Sequence, residues 1–186
     1  MNANWNILVA IKTLADDNGG LLHLCGNMHA RPLVYWRTTE PFYSDRLKEE
    51  GINHIETLEE INYMVGENED RVTYEGFQEL PDGRLVFSYR YGGSGDGKTI
   101  INVWNPKKKI WKRLQDKPLF DGLGKMNAYG RVYGSAMVGP DGNFHRIFMW
   151  RETPDARTNR YLSYVWSEDM DTGSRFHATD RHFTFN

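Results

Sequence analysis

A chain of 186 residues is long enough for one ordinary domain that buries roughly two-thirds of its unfolded surface, so core size sets no limit. Its 23 Lys and Arg against 25 Asp and Glu give a net charge of −2, which excludes a basic surface that tracks nucleic-acid duplexes but allows a local basic cleft. The single cysteine, Cys25, excludes an internal disulfide and a Cys-rich zinc module. No apolar run approaches the ~20 residues of a membrane-spanning helix.

From the N-terminus, residues 1–5 carry no basic region and the apolar patch 7–11 is interrupted at Lys12, so no signal peptide is read. Residues 7–14 read as a strand and lead into Asp17-Asn18-Gly19-Gly20, a turn followed by the apolar run Leu21-Leu22-His23-Leu24. The same pattern returns at Pro81-Asp82-Gly83-Arg84-Leu85-Val86-Phe87 and at Pro140-Asp141-Gly142-Asn143-Phe144-His145-Arg146-Ile147. The last turn glycines, Gly20, Gly83 and Gly142, are 63 and 59 residues apart. Asp-Gly is a hairpin signal because glycine reaches positive φ without a Cβ clash. Residues 74–80 and 133–138 read as the strands before the second and third turns, and 34–37, 100–104 and 162–166 as third strands. Residues 110–114, after the turn Asn105-Pro106-Lys107-Lys108, form a fourth.

With 25 aromatic residues and 18 glycines, the chain reads as all-β, a partial β-propeller of about three four-stranded antiparallel blades. A β-sandwich with regular hairpins gives similar turns. One domain spans 1–186, with repeats over about 5–168 and a tail from 169 to 186 that loses the pattern. Within 44–64, apolar residues recur every three or four positions, which allows a short helix over 55–64 capped by Asn53 or else a solvated acidic loop. Three blades do not close a ring, since closed propellers take roughly four to eight. The chain is therefore expected to be part of a larger protein, or to have its sheet edges covered by another copy (a homo-oligomer), by a missing propeller half or by its own termini.

The run Gly92-Gly93-Ser94-Gly95-Asp96-Gly97 has the glycines of a phosphate-cradling loop, but a strand pattern rather than a helix follows it, so it reads as a hairpin turn. Ser94, Asp96 and Thr99 also approximate the Asp-box turn of sialidase-like propellers, with shortened spacing. His23 and His145 occupy equivalent repeat positions and read as structural; His54 reads as surface. His177 and His182 lack a helix or cysteine to make a metal pair, so no metal or other cofactor is expected. His29, between a Gly-Asn turn and Pro32, sits at a strand end, where side chains project into clefts. Tyr74 and Arg90 are symmetric about the turn near residue 82, which places them opposite each other at one rim, either as a functional pair or as a packed cation–π contact.

Gly26-Asn27-Met28-His29, Arg71-Val72-Thr73-Tyr74, the run from Asp82 to Arg90, the 92–97 glycine loop, Pro118-Leu119-Phe120-Asp121-Gly122, Asn127-Ala128-Tyr129, Gly139-Pro140-Asp141-Gly142 and Trp150-Arg151-Glu152-Thr153-Pro154-Asp155 resemble, in that order, the BNR-4 repeat family. That group contains seven-bladed propellers, among them ulvan lyases, and the resemblance covers about 5–168. It implies a secreted or periplasmic polysaccharide lyase acting on an acidic, uronate-containing polymer, with no nucleic-acid or membrane partner. It implies His29 and Tyr74 as catalytic residues, Arg90 as the group that neutralises the carboxylate, and Asn27, Tyr129 and Arg151 as substrate-binding. The chemistry suits these types. The C5 proton of a uronate is removable only when the adjacent carboxylate is neutralised, as a bidentate guanidinium can do. A phenol, titrating near ~10 when free, acts as a base only where positive charge favours phenolate, and can then protonate the leaving O4. His29 either holds the carboxylate or shares the base role. The chain departs from the family in having no His over 4–17, no cysteine near 154–157 for a structural zinc, and only about three blades. A non-catalytic glycan-binding or assembly module is the alternative. A sialidase-like hydrolase is disfavoured, because no arginine triad with paired carboxylates is identifiable.

Overall fold

The computed structural model describes residues 13–123, 132–153 and 155–178. Its strands are β1 (Thr13–Asp16), β2 (Leu22–Cys25), β3 (His29–Arg31), β4 (Tyr35–Thr38), β5 (Leu58–Glu60), β6 (Val72–Glu79), β7 (Leu85–Gly93), β8 (Asp96–Asn105), β9 (Ile110–Arg113), β10 (Phe120–Asp121), β11 (Val132–Val138), β12 (Phe144–Arg151), β13 (Asn159–Ser167) and β14 (His177–Ala178). One short helix, α1 (Asp45–Glu50), lies between β4 and β5. The strands form three antiparallel sheets, β1-β2-β4-β5, β3-β6-β7-β8 with β9 and β10 both on β8, and β11-β12-β13-β14. This is an all-β partial β-propeller of three blades, as the turn spacing predicts.

The middle blade exceeds the expected four strands. β3 leaves the first blade's sequence to pair with β6, with His29 opposite Thr73, while β9 and β10 share the free edge of β8. Of the two readings of 55–64, helix or solvated loop, the helix is absent. Asn53 does cap, its side chain accepting from Ile55 N–H, but only a single 3-10 turn over His54–Thr57, after which Leu58–Glu60 pairs with β4 as the outer strand of the first blade. The apolar spacing there arises from Ile61 and Met64 reaching back to the core. The tail from 169 is not outside the repeat either: His177–Ala178 pairs with β13 and completes the third blade, and His177 stacks on Trp166 at 4.2 Å. Most of the predicted strand over 7–14, together with His182, lies outside the described residues.

Strand β7 explains how the blades stack. Its side chains alternate between sheet faces: Leu85, Phe87 and Tyr89 join Cys25, Tyr35, Trp104 and Trp111 in the core toward the first blade. Val86, on the opposite face, joins Leu80, Ile101 and Phe144 toward the third. A strand buried on both faces reads as a continuous apolar run, as residues 85–87 do. On the far side of the third blade, Met137 (57% exposed) and Ile147 (52%) form an open apolar surface.

The two equivalent histidines are built into parallel arrangements. His145 Nε2 is 2.8 Å from Asp141 Oδ1 and its Nδ1 is 2.5 Å from the Tyr164 hydroxyl. His23 Nδ1 is 2.7 Å from the Tyr35 hydroxyl, which also accepts from Trp111 Nε1 at 3.1 Å. Tyr35 therefore donates to Nδ1, leaving the proton of His23 on Nε2, 3.7 Å from Asp17. Asp17 itself accepts from the Gly19 and Leu21 amides and from Trp104 Nε1. Burial holds His23 below its usual value, against the opposing pull of Asp17. Because the folded protein disfavours the charged imidazole, the stability contribution is complete above ~6.5 and is lost as pH falls below it, at up to about 1.4 kcal/mol per pH unit. Thermal denaturation between pH 7 and pH 5 is expected to show a steeper loss of Tm for the native chain than for His23→Gln, and equal slopes would contradict it.

Candidate active site

Between the second and third blades runs a cleft of about 400 Å³, lined by Tyr74, Gln78, Ser88, Arg90, Tyr133 and Arg146 among others. The local irregularity that shapes it lies in β6. Thr73 pairs with Arg90 and Gly76 with Ser88, so two residues, Tyr74 and Glu75, oppose one on β7. This bulge puts Tyr74 at φ 56, a left-handed conformation that costs a bulky residue on the order of 1–3 kcal/mol and that clusters at functional sites. The predicted opposition of residues 74 and 90 is thereby displaced by one position, yet the two still meet. The Arg90 guanidinium lies 5.3 Å from the Tyr74 ring centroid, and Tyr74 projects outward, 45% exposed.

His29 arrives through the pairing of β3 with β6 and meets Tyr74 edge-to-face, with centroids 5.7 Å apart. Arg90 is buried on the β7 face toward the third blade. It donates to the Val132 carbonyl and, at 3.4 Å, to the Gly93 carbonyl. With five N–H donors on a guanidinium, further donors remain for a ligand. Gly97 stands behind it: a Cβ there would lie 2.6 Å from Arg90 Cγ and 2.7 Å from the Tyr91 carbonyl. Gly97→Ala is expected to push Arg90 out of place, and a misplacement of about 1 Å is worth on the order of 10²-fold in rate. Steady-state kinetics of this variant beside its thermal unfolding would check it; unchanged rates would mean that Arg90 tolerates the shift.

The structure adds two residues to the predicted set. Ser94, at the tip of the β7–β8 hairpin that the glycine run forms, shares hydrogen bonds with the Tyr74 hydroxyl (3.0 Å) and the Tyr133 hydroxyl (2.8 Å). Tyr133 lies between two guanidiniums, with Arg90 4.1 Å and Arg151 3.5 Å from its ring centroid. Burial alone would raise its phenol, but the hydrogen bond with Ser94 and the positive charge of Arg90 and Arg151 bring it below the usual value. A signal for Tyr133 was present in the repeat: Tyr133 precedes Gly142 by the same nine positions that separate Tyr74 from Gly83.

Among the predicted substrate-binding residues, Arg151 joins the cluster, stacked on Tyr133 and held by Asn159, whose Oδ1 accepts from its Nε at 2.7 Å. Asn27 is exposed in the turn before β3, at φ 58, and no described contact links it to the cluster. Tyr129 lies outside the described residues. Among the described residues, no three His, Cys, Asp or Glu side chains converge as metal ligands, and no helix is long and apolar enough to cross a membrane.

A family model described as "BNR repeat-containing family member" matches residues 10–180. Among solved structures, polysaccharide lyase Uly1 superposes with a TM-score of 0.70 at 19% identity, over 89% of this chain and 41% of that one. An ulvan lyase of polysaccharide lyase family PL25 gives 0.58 at 12%, over 82% of this chain and 37% of that one. The PL25 ulvan lyase bound to -[GlcA(1-4)Rha3S]- gives 0.55 at 12%, over 83% and 39%. The chain thus spans about two-fifths of the length of these structures, with which it shares a fold. No curated protein matches the sequence significantly.

Proposed function

Because the chain belongs to the BNR repeat-containing family, we propose that it carries the site of a polysaccharide lyase that cleaves a uronate-containing, ulvan-like polymer by β-elimination. The observation that carries this reading is the convergence of an imidazole (His29), a phenol (Tyr74) and a guanidinium (Arg90) at one end of an open cleft.

The steps follow from the groups. Arg90 pairs with the uronate carboxylate and disperses the negative charge that builds as C5 loses its proton. Tyr74, extended from its bulge, takes that proton as phenolate. The electron pair forms the C4–C5 double bond, the C4–O4 bond breaks, and Tyr74 returns the proton to the departing O4. Ser94 joins the phenols of Tyr74 and Tyr133 in one hydroxyl chain. His29, packed on the Tyr74 ring, orients that ring or binds the carboxylate from the other side. No redox step is required.

Incubating the protein with ulvan and other uronic polymers, and following the ultraviolet absorbance of the unsaturated uronate, tests the reading. A rising signal supports it; bound polymer with a flat signal favours a glycan-binding module instead. The exposed Met137 and Ile147 on the third blade offer the surface on which a further sheet, from another copy or another segment, would pack.

A further inference from the structure

The third blade has one face left open. In the first blade, residues 23–25 on β2 and Tyr35, Trp36 and Thr38 on β4 are all buried, so the inner strands are covered on both faces, as β7 is in the second. On β12 and β13 burial alternates instead. Phe144, Phe148, Ser163, Val165 and Ser167 are buried, whereas His145, Ile147, Met149, Leu162, Tyr164 and Trp166 are partly or fully exposed. Strand alternation puts those six on one face, and none is a Lys, Arg, Asp or Glu. Met137 joins them from β11, and with Pro140, Ile147 and Tyr164 it encloses a depression of about 340 Å³.

The first blade shows what such a face carries when it is covered. Tyr35 pairs with Cys25, two residues along β2 from His23, and Tyr164 pairs with Ile147, two residues along β12 from His145. The two His–Tyr pairs are therefore in the same register. Over His23 lie Trp104 and Trp111, at 4.7 and 5.6 Å, whose indoles donate to Asp17 and to the Tyr35 hydroxyl. Side-chain exposure is 0% for His23 and 2% for Asp17, but 19% for His145 and 50% for Asp141. Only one blade face is open in this way among the described residues. Head-to-tail association needs two different open faces, whereas a single one is covered by its own counterpart about a two-fold axis. The face is built on strands of seven to nine residues, and strand spacing and rise make it roughly 19 by 26 Å with β14 included. That is on the order of 500 Å² per copy and 1,000 Å² for two, the size at which specific interfaces begin. We propose that the open face of the third blade packs on the same face of a second copy in a two-fold dimer, with Ile147, midway along β12, close to the axis. Tyr164 and Trp166 of each copy then shield the His145–Asp141 pair of the other, as Trp104 and Trp111 shield His23 and Asp17 within the chain. The dimer does not depend on the lyase reading.

Sedimentation velocity over a concentration series tests it, with thermal unfolding of each variant as the check on folding. The native chain is expected to sediment at twice 21.7 kDa. Ile147→Lys and Ile147→Glu, at a position 52% exposed within the chain, are expected each to weaken self-association at least about tenfold, because the axis sets like charges against each other in an apolar contact. Mixing the two variants is expected to restore a dimer, since opposite charges then meet across the axis. Leu14→Lys, at an equally exposed apolar position on the first blade, is expected to leave the dimer intact. A native chain that stays monomeric at every concentration overturns the proposal and leaves the face to a sheet from another segment or protein. Assemblies that keep growing with concentration overturn it in favour of head-to-tail packing. A dimer insensitive to Ile147→Lys, or one not restored by the mixture, shows that this face or this axis is not the one used.

Discussion

Replacing Tyr74 by Phe is expected to reduce the elimination rate by about 10²- to 10⁴-fold, the range that a positioned acid–base group contributes, with polymer affinity nearly unchanged. The substitution removes one oxygen and keeps the ring. The edge-to-face contact with His29 and the stacking of Arg90 over the ring survive, as does the backbone at φ 56, so substrate still finds the same wall. What is lost is the group proposed to take the C5 proton, together with its hydrogen bond to Ser94, which is exposed and worth little to stability. Single-turnover absorbance measurements beside a binding isotherm separate the two quantities. A variant with native rates would transfer the base role to His29 or Tyr133, both of which remain in place.

Trp104→Ala tests the fold rather than the chemistry, and a loss of about 3–5 kcal/mol is expected, as for other fully buried aromatic residues cut to Ala. For a chain of this size that corresponds to a fall in Tm on the order of 10 °C. Trp104 has no solvent exposure, packs at 4.7 Å against His23 and 5.4 Å against Trp111, and donates Nε1 to Asp17 Oδ2 at 2.8 Å. Its loss leaves a cavity between the first two blades and removes one donor from a buried carboxylate. Trp104→Phe, which restores part of the volume but not the N–H, should recover part of the stability. A Tm within 1 °C of native for Trp104→Ala would show that the two blades do not depend on this contact.

Turn chemistry and strand alternation made the blades readable from residues alone. Asp-Gly turns act within four residues, and the run Leu85-Val86-Phe87 announces a strand buried on both sides wherever it is placed. Residues 55–64 were ambiguous because apolar spacing of three or four has two sources: a helix face, or a short edge strand followed by a loop whose Ile61 and Met64 turn back to the core. The tail at 177–178 carried no repeat signal because two residues suffice to cover a sheet edge, and two residues have no period.

For the proposed site, the chain itself determined the near-opposition of Tyr74 and Arg90, since a hairpin turn sets which positions face each other to within one residue. Only the tertiary structure decided that a bulge at Tyr74 displaces that register, that β3 crosses to the second blade to bring His29 in, and that Tyr133 and Arg146 come from the third blade to complete the wall. The reason is range. Backbone turns and side-chain alternation are governed by neighbours in sequence, whereas the cleft is formed where two sheets pack, between residues more than 40 positions apart whose proximity depends on how both cores are filled.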